Sequence, residues 1–224
     1  MGLELKLTIP TSQSEITLSQ YQTYLKVSTD ENNQNTFFLN QKIIEIFCHV
    51  PLKFVFKMKK SDVDNIASKI VKLLNDENRG EFEPVFTING VRLGFMPNFK
   101  EMTAGEFTDL SNYISDVQTW HKAMAVMFRP VDLYRKGKYT ITEYDGTDNL
   151  SNAMKSIQLD KVLVAVFFLQ TSLKILTARL RIYLKGELEN NPILSGISTT
   201  DTDGILSSLQ LAEEIFSGSM KQPS

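Results

Sequence analysis

The chain has 224 residues, of which 42% are hydrophobic and 22% are charged, a composition that excludes wholesale disorder and collagen-like repeats. The net charge of −2 sets up no broad positive field for duplex DNA or for an anionic membrane, and the single cysteine, Cys48, excludes an intramolecular disulfide. The longest apolar run, at 162–169, is far shorter than the roughly 20 residues of a membrane span.

The N-terminal part of the sequence predicts a strand, a polar loop and two helices. Strict alternation of apolar and polar residues predicts a half-buried strand over 3–9. Thr17 and Gln20 have the spacing of a capping box and predict the start of a short helix. Residues 28–36 contain no apolar side chain and are expected to form an exposed loop, and a second helix is expected over 37–48.

The next segments predict a strand, a helix and a β-hairpin. Residues 52–58 are rich in Phe and Val and are expected to form a weak strand. A second capping-box pattern at 61–64 predicts a helix, and its apolar stripe comprises Val63, Ile66, Ala67, Ile70, Val71 and Leu74. Asn89-Gly90 separates the strand-like runs 85–88 and 91–95, which is the strongest short-range signal of a hairpin.

A third capping-box pattern at 103–106 opens a helical region, either one long helix or two consecutive helices, that is expected to end at Arg129-Pro130. Its apolar stripe comprises Phe107, Leu110, Ile114, Val117, His121, Met124 and Phe128, and we expect Phe107, Leu110, Ile114 and Met124 to share one core. Further along, a short strand is expected over 138–144, and helices over 149–157, 160–184 and 205–216.

These elements predict an α+β fold, with a mostly helical body and a small antiparallel sheet that includes the Asn-Gly hairpin. Residues 1–188 are expected to form a single domain, with a possible subdivision near residue 80. A Ser/Thr/Asn-rich linker is expected over 189–204, and a C-terminal helix with a disordered tail over 205–224.

No motif in the sequence indicates a catalytic, cofactor-binding or metal site. The two histidines, His49 and His121, and Cys48 lack the spacing of a zinc site. Cys48 lies in an apolar run, where a free cysteine is usually buried and inert. A small basic patch at 135–138 is able to contact phosphates or acidic residues of a partner, although a solvated face is the simpler interpretation. We therefore expect no enzyme activity and no cofactor.

Partner binding is the function that the composition favours. The helix around Met124 and Met127 is apolar on nearly all sides, so it is expected to be buried either in the fold or against a partner. The candidate partner-binding residues are Trp120, Met124, Met127, Phe128, Arg129, Ile205, Leu209 and Phe216.

A resemblance to a known group rests on the order of several segments. They lie at 9–10, 15–22, 44–48, 88–90, 94–98, 102–110, 121–130 and 139–146, and include Ile88-Asn89-Gly90 and the run from His121 to Pro130. This order resembles uncharacterised proteins of tailed bacteriophages, especially crAss-like and related short-tailed phages. The similarity covers roughly residues 5–185.

The resemblance implies a virion structural protein of the portal–neck–tail region, a ring or tail component that forms a homo-oligomer and binds other phage structural proteins. Its place would be the virion, assembled in the cytoplasm of the host bacterium. The alternative is a tail assembly chaperone that is absent from the mature virion. An enzyme or a DNA-binding packaging factor is not favoured, because the sequence has neither an active-site motif nor a net positive charge.

Overall fold

The N-terminal part of the protein is helical. A computed structural model describes residues 7–29, 36–77, 80–169 and 171. The helices in this part are α1 (Leu18–Ser28), α2 (Thr36–Cys48), α3 (Leu52–Val55) and α4 (Lys60–Leu74). The predicted capping box of α1 is confirmed, because the Thr17 hydroxyl accepts a hydrogen bond from the Gln20 N–H while the Gln20 carboxamide oxygen accepts one from the Thr17 N–H.

Two predictions in this part are wrong, and a third fails over the residues that the structure describes. Residues 7–10 form no regular structure where a strand was predicted over 3–9, and the rest of that prediction lies outside the described residues. The strand predicted over 52–58 is helix α3, because the Pro51 carbonyl accepts hydrogen bonds from the next turn. The capping box at 61–64 does not form: Lys59 precedes the first helical residue, and the Asp64 carboxylate accepts from Lys60 and Asn40.

The sheet has four antiparallel strands in the order β1 (Val85–Ile88), β2 (Val91–Phe95), β3 (Phe128–Arg135) and β4 (Lys138–Ile141). β1 and β2 pair on either side of Asn89-Gly90, whose φ angles of 49° and 80° are those of a left-handed turn. Lys136 and Gly137 repeat this geometry between β3 and β4, with φ angles of 51° and 77°.

Four further α-helices lie after β2 in the described chain. They are α5 (Ala104–Ile114), α6 (Trp120–Met127), α7 (Asp148–Met154) and helical residues 159–169, called α8 below. The capping box of α5, formed by Thr103 and Glu106, is confirmed. The region predicted as one long helix or two consecutive helices is two, α5 and α6. α6 ends two residues before Arg129, and the chain passes directly from it into β3, a strand that the sequence did not predict.

One continuous cluster of buried residues joins the helices to the sheet, and it includes Leu110, Ile114 and Met124 as expected. Phe107 contradicts the prediction, because it is 56% exposed. The buried face of α5 instead carries Glu106, Leu110 and Ile114, at intervals of four residues. Phe107 lies one position beyond Glu106 and so lies outside this face.

The α+β class with a small antiparallel sheet is confirmed. The cluster draws residues from both sides of position 80, and the domain division remains a prediction. The predicted linker at 189–204, the C-terminal helix and tail at 205–224, and the part of the 160–184 helix beyond residue 171 lie outside the described residues. In the described part of the chain, every helix is too short or too polar to cross a membrane.

Candidate functional site

Four of the predicted partner-binding residues lie inside the protein's own core. Trp120, Met124, Met127 and Phe128 are each at most 2% exposed. The indole N–H of Trp120 donates to the Ile114 carbonyl at 3.0 Å, and its ring stacks on Tyr21. The core of the chain thus covers the apolar helix, and these four side chains are not accessible to a partner.

Arg129, the fifth candidate, forms a largely buried ion pair. Its Nη2 lies 2.7 Å from Oε1 of Glu106, and the two side chains are 11% and 4% exposed. The other Glu106 oxygen closes the capping box of α5 by accepting from the Thr103 N–H at 2.6 Å. This pair therefore ties the start of α5 to β3, and it has a structural role in the described fold.

A tyrosine and a second carboxylate extend this cluster. Tyr144 donates its hydroxyl hydrogen to the Asp109 carboxylate, and the Arg129 guanidinium lies 5.8 Å from the Tyr144 ring centroid. Burial and the Asp109 carboxylate both raise the pKa of Tyr144 far above its usual range. The phenol therefore stays protonated and acts as a hydrogen-bond donor at neutral pH.

The potential nucleophile and metal ligands do not converge. Burial raises the pKa of the Cys48 thiol to about 11, so almost none of it is the reactive thiolate at neutral pH. The imidazoles of His49 and His121 lie 3.3 Å and 3.2 Å from the side-chain amides of Gln20 and Gln22. Among the residues that the structure describes, no group of three His, Cys, Asp or Glu side chains is placed to hold a metal ion.

The hairpin formed by β3 and β4 carries the most distinctive exposed surface in the described chain. Leu133 pairs with Thr140 and Arg135 pairs with Lys138, so these four side chains lie on one face of the hairpin. Leu133 is 59% exposed, and the face contains a depression of about 360 Å³ that Leu133, Arg135, Lys136 and Lys138 help to line. We call Leu133, Arg135, Lys136, Lys138 and Thr140 the hairpin face.

Contacts on the opposite side of the hairpin fix its position on the body. Tyr139 lies against Gly94 of β2, where an added Cβ would lie only 2.6 Å from the tyrosine ring. The Tyr139 hydroxyl donates to the Phe95 carbonyl at 2.7 Å. A glycine at position 94 is thus required for this close approach, and the hairpin face is held by a well-packed contact behind it.

The electrostatic character of the hairpin face is positive. Residues 133–142 include Arg135, Lys136 and Lys138 and no Asp or Glu. The sequence pointed to this basic patch, but it did not reveal the exposed leucine because β3 was not predicted. The signal that was available is the second X-Gly turn, Lys136-Gly137, with alternating residues on both sides.

Comparison of the chain with protein-family models, with curated proteins and with solved structures gives no match. The three remaining candidate residues, Ile205, Leu209 and Phe216, lie outside the described residues. The candidate site supported by geometry is therefore the hairpin face, and it is suited to binding a macromolecule because it is broad, shallow and both apolar and charged.

Proposed function

We propose that this chain is a structural protein of a tailed-bacteriophage virion, a ring or tail component of the portal–neck–tail region that acts through protein–protein assembly. The observation that carries the proposal is the hairpin face, which exposes an apolar side chain, that of Leu133, next to three cations near the turn. The resemblance in segment order to phage proteins directs the proposal to the virion.

The exposure of Leu133 supports this proposal. An exposed leucine alone needs no explanation, but here it is fixed on a rigid hairpin and is joined by the half-exposed Tyr134 on the other face of β3. Tyr and Arg are enriched at protein interfaces, and their energetic contribution is largest where neighbouring residues exclude water. Tyr134 and Arg135 are therefore residue types that interfaces favour, and Lys136 and Lys138 suit the polar rim of one.

The alternative is a tail assembly chaperone, which would use α6 as its binding surface. α6 is buried among α5, α7 and the sheet, so this surface is occupied by the protein's own core. The described residues give the virion protein more support than the chaperone.

Quantitative mass spectrometry of purified particles, compared with infected-cell lysate, tests this function. A virion component is expected in particles in a small symmetric copy number, since rings and tubes are built by rotational or helical repetition. Abundance in the lysate with none in the particles would contradict the proposal and support the chaperone.

A matched pair of phage variants connects the test to the hairpin face. Leu133→Asp should reduce incorporation of the chain into particles, because it replaces the exposed apolar side chain of the proposed interface by a carboxylate. Phe56→Asp, at an exposed apolar residue of the N-terminal helical part, is the control and should leave incorporation unchanged. Equal incorporation of both variants would remove the hairpin face from the assembly surface.

A further inference from the structure

The positive hairpin face has a complement in the chain's own sequence. Residues 186–220 contain six acidic residues, Glu187, Glu189, Asp201, Asp203, Glu213 and Glu214, and no Lys or Arg. In a chain whose basic and acidic residues number 24 and 26, such a one-sided stretch is a local feature and does not follow from overall charge.

The acidic stretch also carries apolar residues at helical spacing. Ile205, Leu209, Ala212 and Phe216 recur every three or four positions, next to Glu213 and Glu214. A segment of this kind matches the hairpin face in both respects, because it offers apolar side chains for Leu133 and carboxylates for the neighbouring cations.

We propose that residues 201–216 of one copy of the chain dock on the hairpin face of a neighbouring copy. This inference rests on the proposed function, since a repeated subunit presents each hairpin face to the next copy. Such a contact is heterologous, and it closes into a ring when each subunit is rotated by a constant angle from the last.

The chain between the body and the acidic segment is long enough for this exchange. Thirty-three residues separate the last described residue, 171, from Ile205, and an extended chain of this length reaches about 110 Å. Once one contact holds two subunits together, a tethered segment meets its site at a high effective concentration, which strengthens a contact that is modest by itself.

Charge exchange in the full-length protein tests the proposal. One variant carries Lys136→Glu and Lys138→Glu, and the other carries Glu213→Lys and Glu214→Lys. Each variant alone opposes like charges across the proposed contact, so its self-association should be weaker than that of the wild type by at least about tenfold. Light scattering coupled to size exclusion measures the association, and circular dichroism verifies that both variants are folded.

Mixing the two variants is the decisive step. In the mixture each segment again meets a face of opposite charge on the other variant, so association should return towards the wild-type level and should weaken as salt is added. A matched control exchanges two exposed lysines of α4, Lys69→Glu and Lys72→Glu, which should leave association unchanged.

Several results would overturn this inference. A wild type that is monomeric throughout would remove a contact between copies, and association that ignores both exchanges would place the contact elsewhere. Association lost on nuclease treatment would assign the cations to nucleic acid. The result is separable from the proposed function: a chain absent from particles whose variants reassociate on mixing keeps the contact but not the virion role.

Discussion

Helix α6 and the β3–β4 hairpin are consecutive in the chain, but α6 is buried and most of the hairpin is exposed. α6 is apolar on nearly every side and is buried between α5 and α7. The hairpin begins in the same core at Phe128 and is exposed from Asp132 to Lys136. Large apolar side chains are thus buried where helices or strands pack on both sides of them. Leu133 lies in the exposed half of β3, where such packing is absent on one side in the described part of the chain.

The largest difference is expected when the same substitution is made at a leucine in the core and at a leucine on the exposed hairpin. Leu110→Asp, at a residue that is 2% exposed in the core beside α6, should cost more than about 4 kcal/mol and leave the protein unfolded or insoluble. Leu133→Asp should change the free energy of unfolding by less than about 0.5 kcal/mol, because Leu133 is already 59% exposed. Urea denaturation of both variants measures the difference, and a stable, normally folded Leu110→Asp protein would contradict the assignment of the core face of α5.

The ion pair at the junction between the two regions should have the next largest effect. Glu106→Gln keeps a side chain that can close the capping box but removes the charge that compensates Arg129, and it should cost about 3 kcal/mol. Glu83→Gln is the matched control, because exposed Glu83 pairs with Lys161 and its loss should cost less than about 1 kcal/mol. Equal losses of stability in urea would mean that burial of the Glu106 pair has no energetic consequence.

The contact that holds the hairpin on the body should respond to a single methyl group. Gly94→Ala places a Cβ against the Tyr139 ring and should cost about 1–3 kcal/mol, since the ring must move away from β2. Gly105→Ala, in the first turn of α5, meets no atom within 4 Å and should be neutral or slightly stabilising. Thermal unfolding of both variants measures this, and an unchanged Tm for Gly94→Ala would show that Tyr139 does not fix the hairpin.

The smallest effect is expected from the pH dependence of α6. Burial, and then the charges of Lys155 and Lys122, lower the pKa of His121 below its usual value of 6.5. His121 therefore binds a proton at a higher pH in the unfolded chain than in the folded protein. The stability that neutral His121 contributes is fully present above pH 6.5 and is lost as the pH falls from there through the lowered pKa of the folded protein.

A variant isolates this contribution. His121→Asn keeps an acceptor for the Gln22 amide but does not titrate, so between about pH 7.5 and about pH 5.5 it should lose less stability than the wild type. Urea denaturation at both pH values measures the two losses, and other titrating groups cancel in the comparison. Identical losses would show that His121 does not contribute to acid destabilisation.

The sequence predicted the start of a helix correctly where that start is fixed by side chains of the helix's own first turn. The Thr17 and Thr103 capping boxes formed as predicted, because both partners lie within one turn. The same pattern failed at 61–64, where Asp64 is engaged by Asn40 of a neighbouring helix and by Lys60. A pattern of four residues does not contain the information that another helix supplies a competing partner.

Strand β3 and the burial of Glu106 needed information that is distant in sequence. Pro130 suggested the end of a helix, yet it pairs with Leu93 in the sheet and its carbonyl accepts from Thr142. Similarly, the apolar stripe favoured Phe107 over Glu106, since a carboxylate is buried only when an arginine from another element compensates it. The hairpin face was not predicted for the same reason, because its exposure depends on which distant segments pack against the hairpin.

Glu106 links the first turn of α5 to strand β3, two elements that are distant in the sequence. One oxygen of its carboxylate caps the first turn of α5 and the other holds Arg129 in β3, so fraying of the helix and loosening of the strand remove the same group from its place. Backbone amides at the start of α5 and in the first half of β3 should therefore exchange their hydrogens with solvent in one cooperative opening, although more than twenty residues of chain lie between them. The cap of α5 thus opens together with β3 and not as an independent helix end.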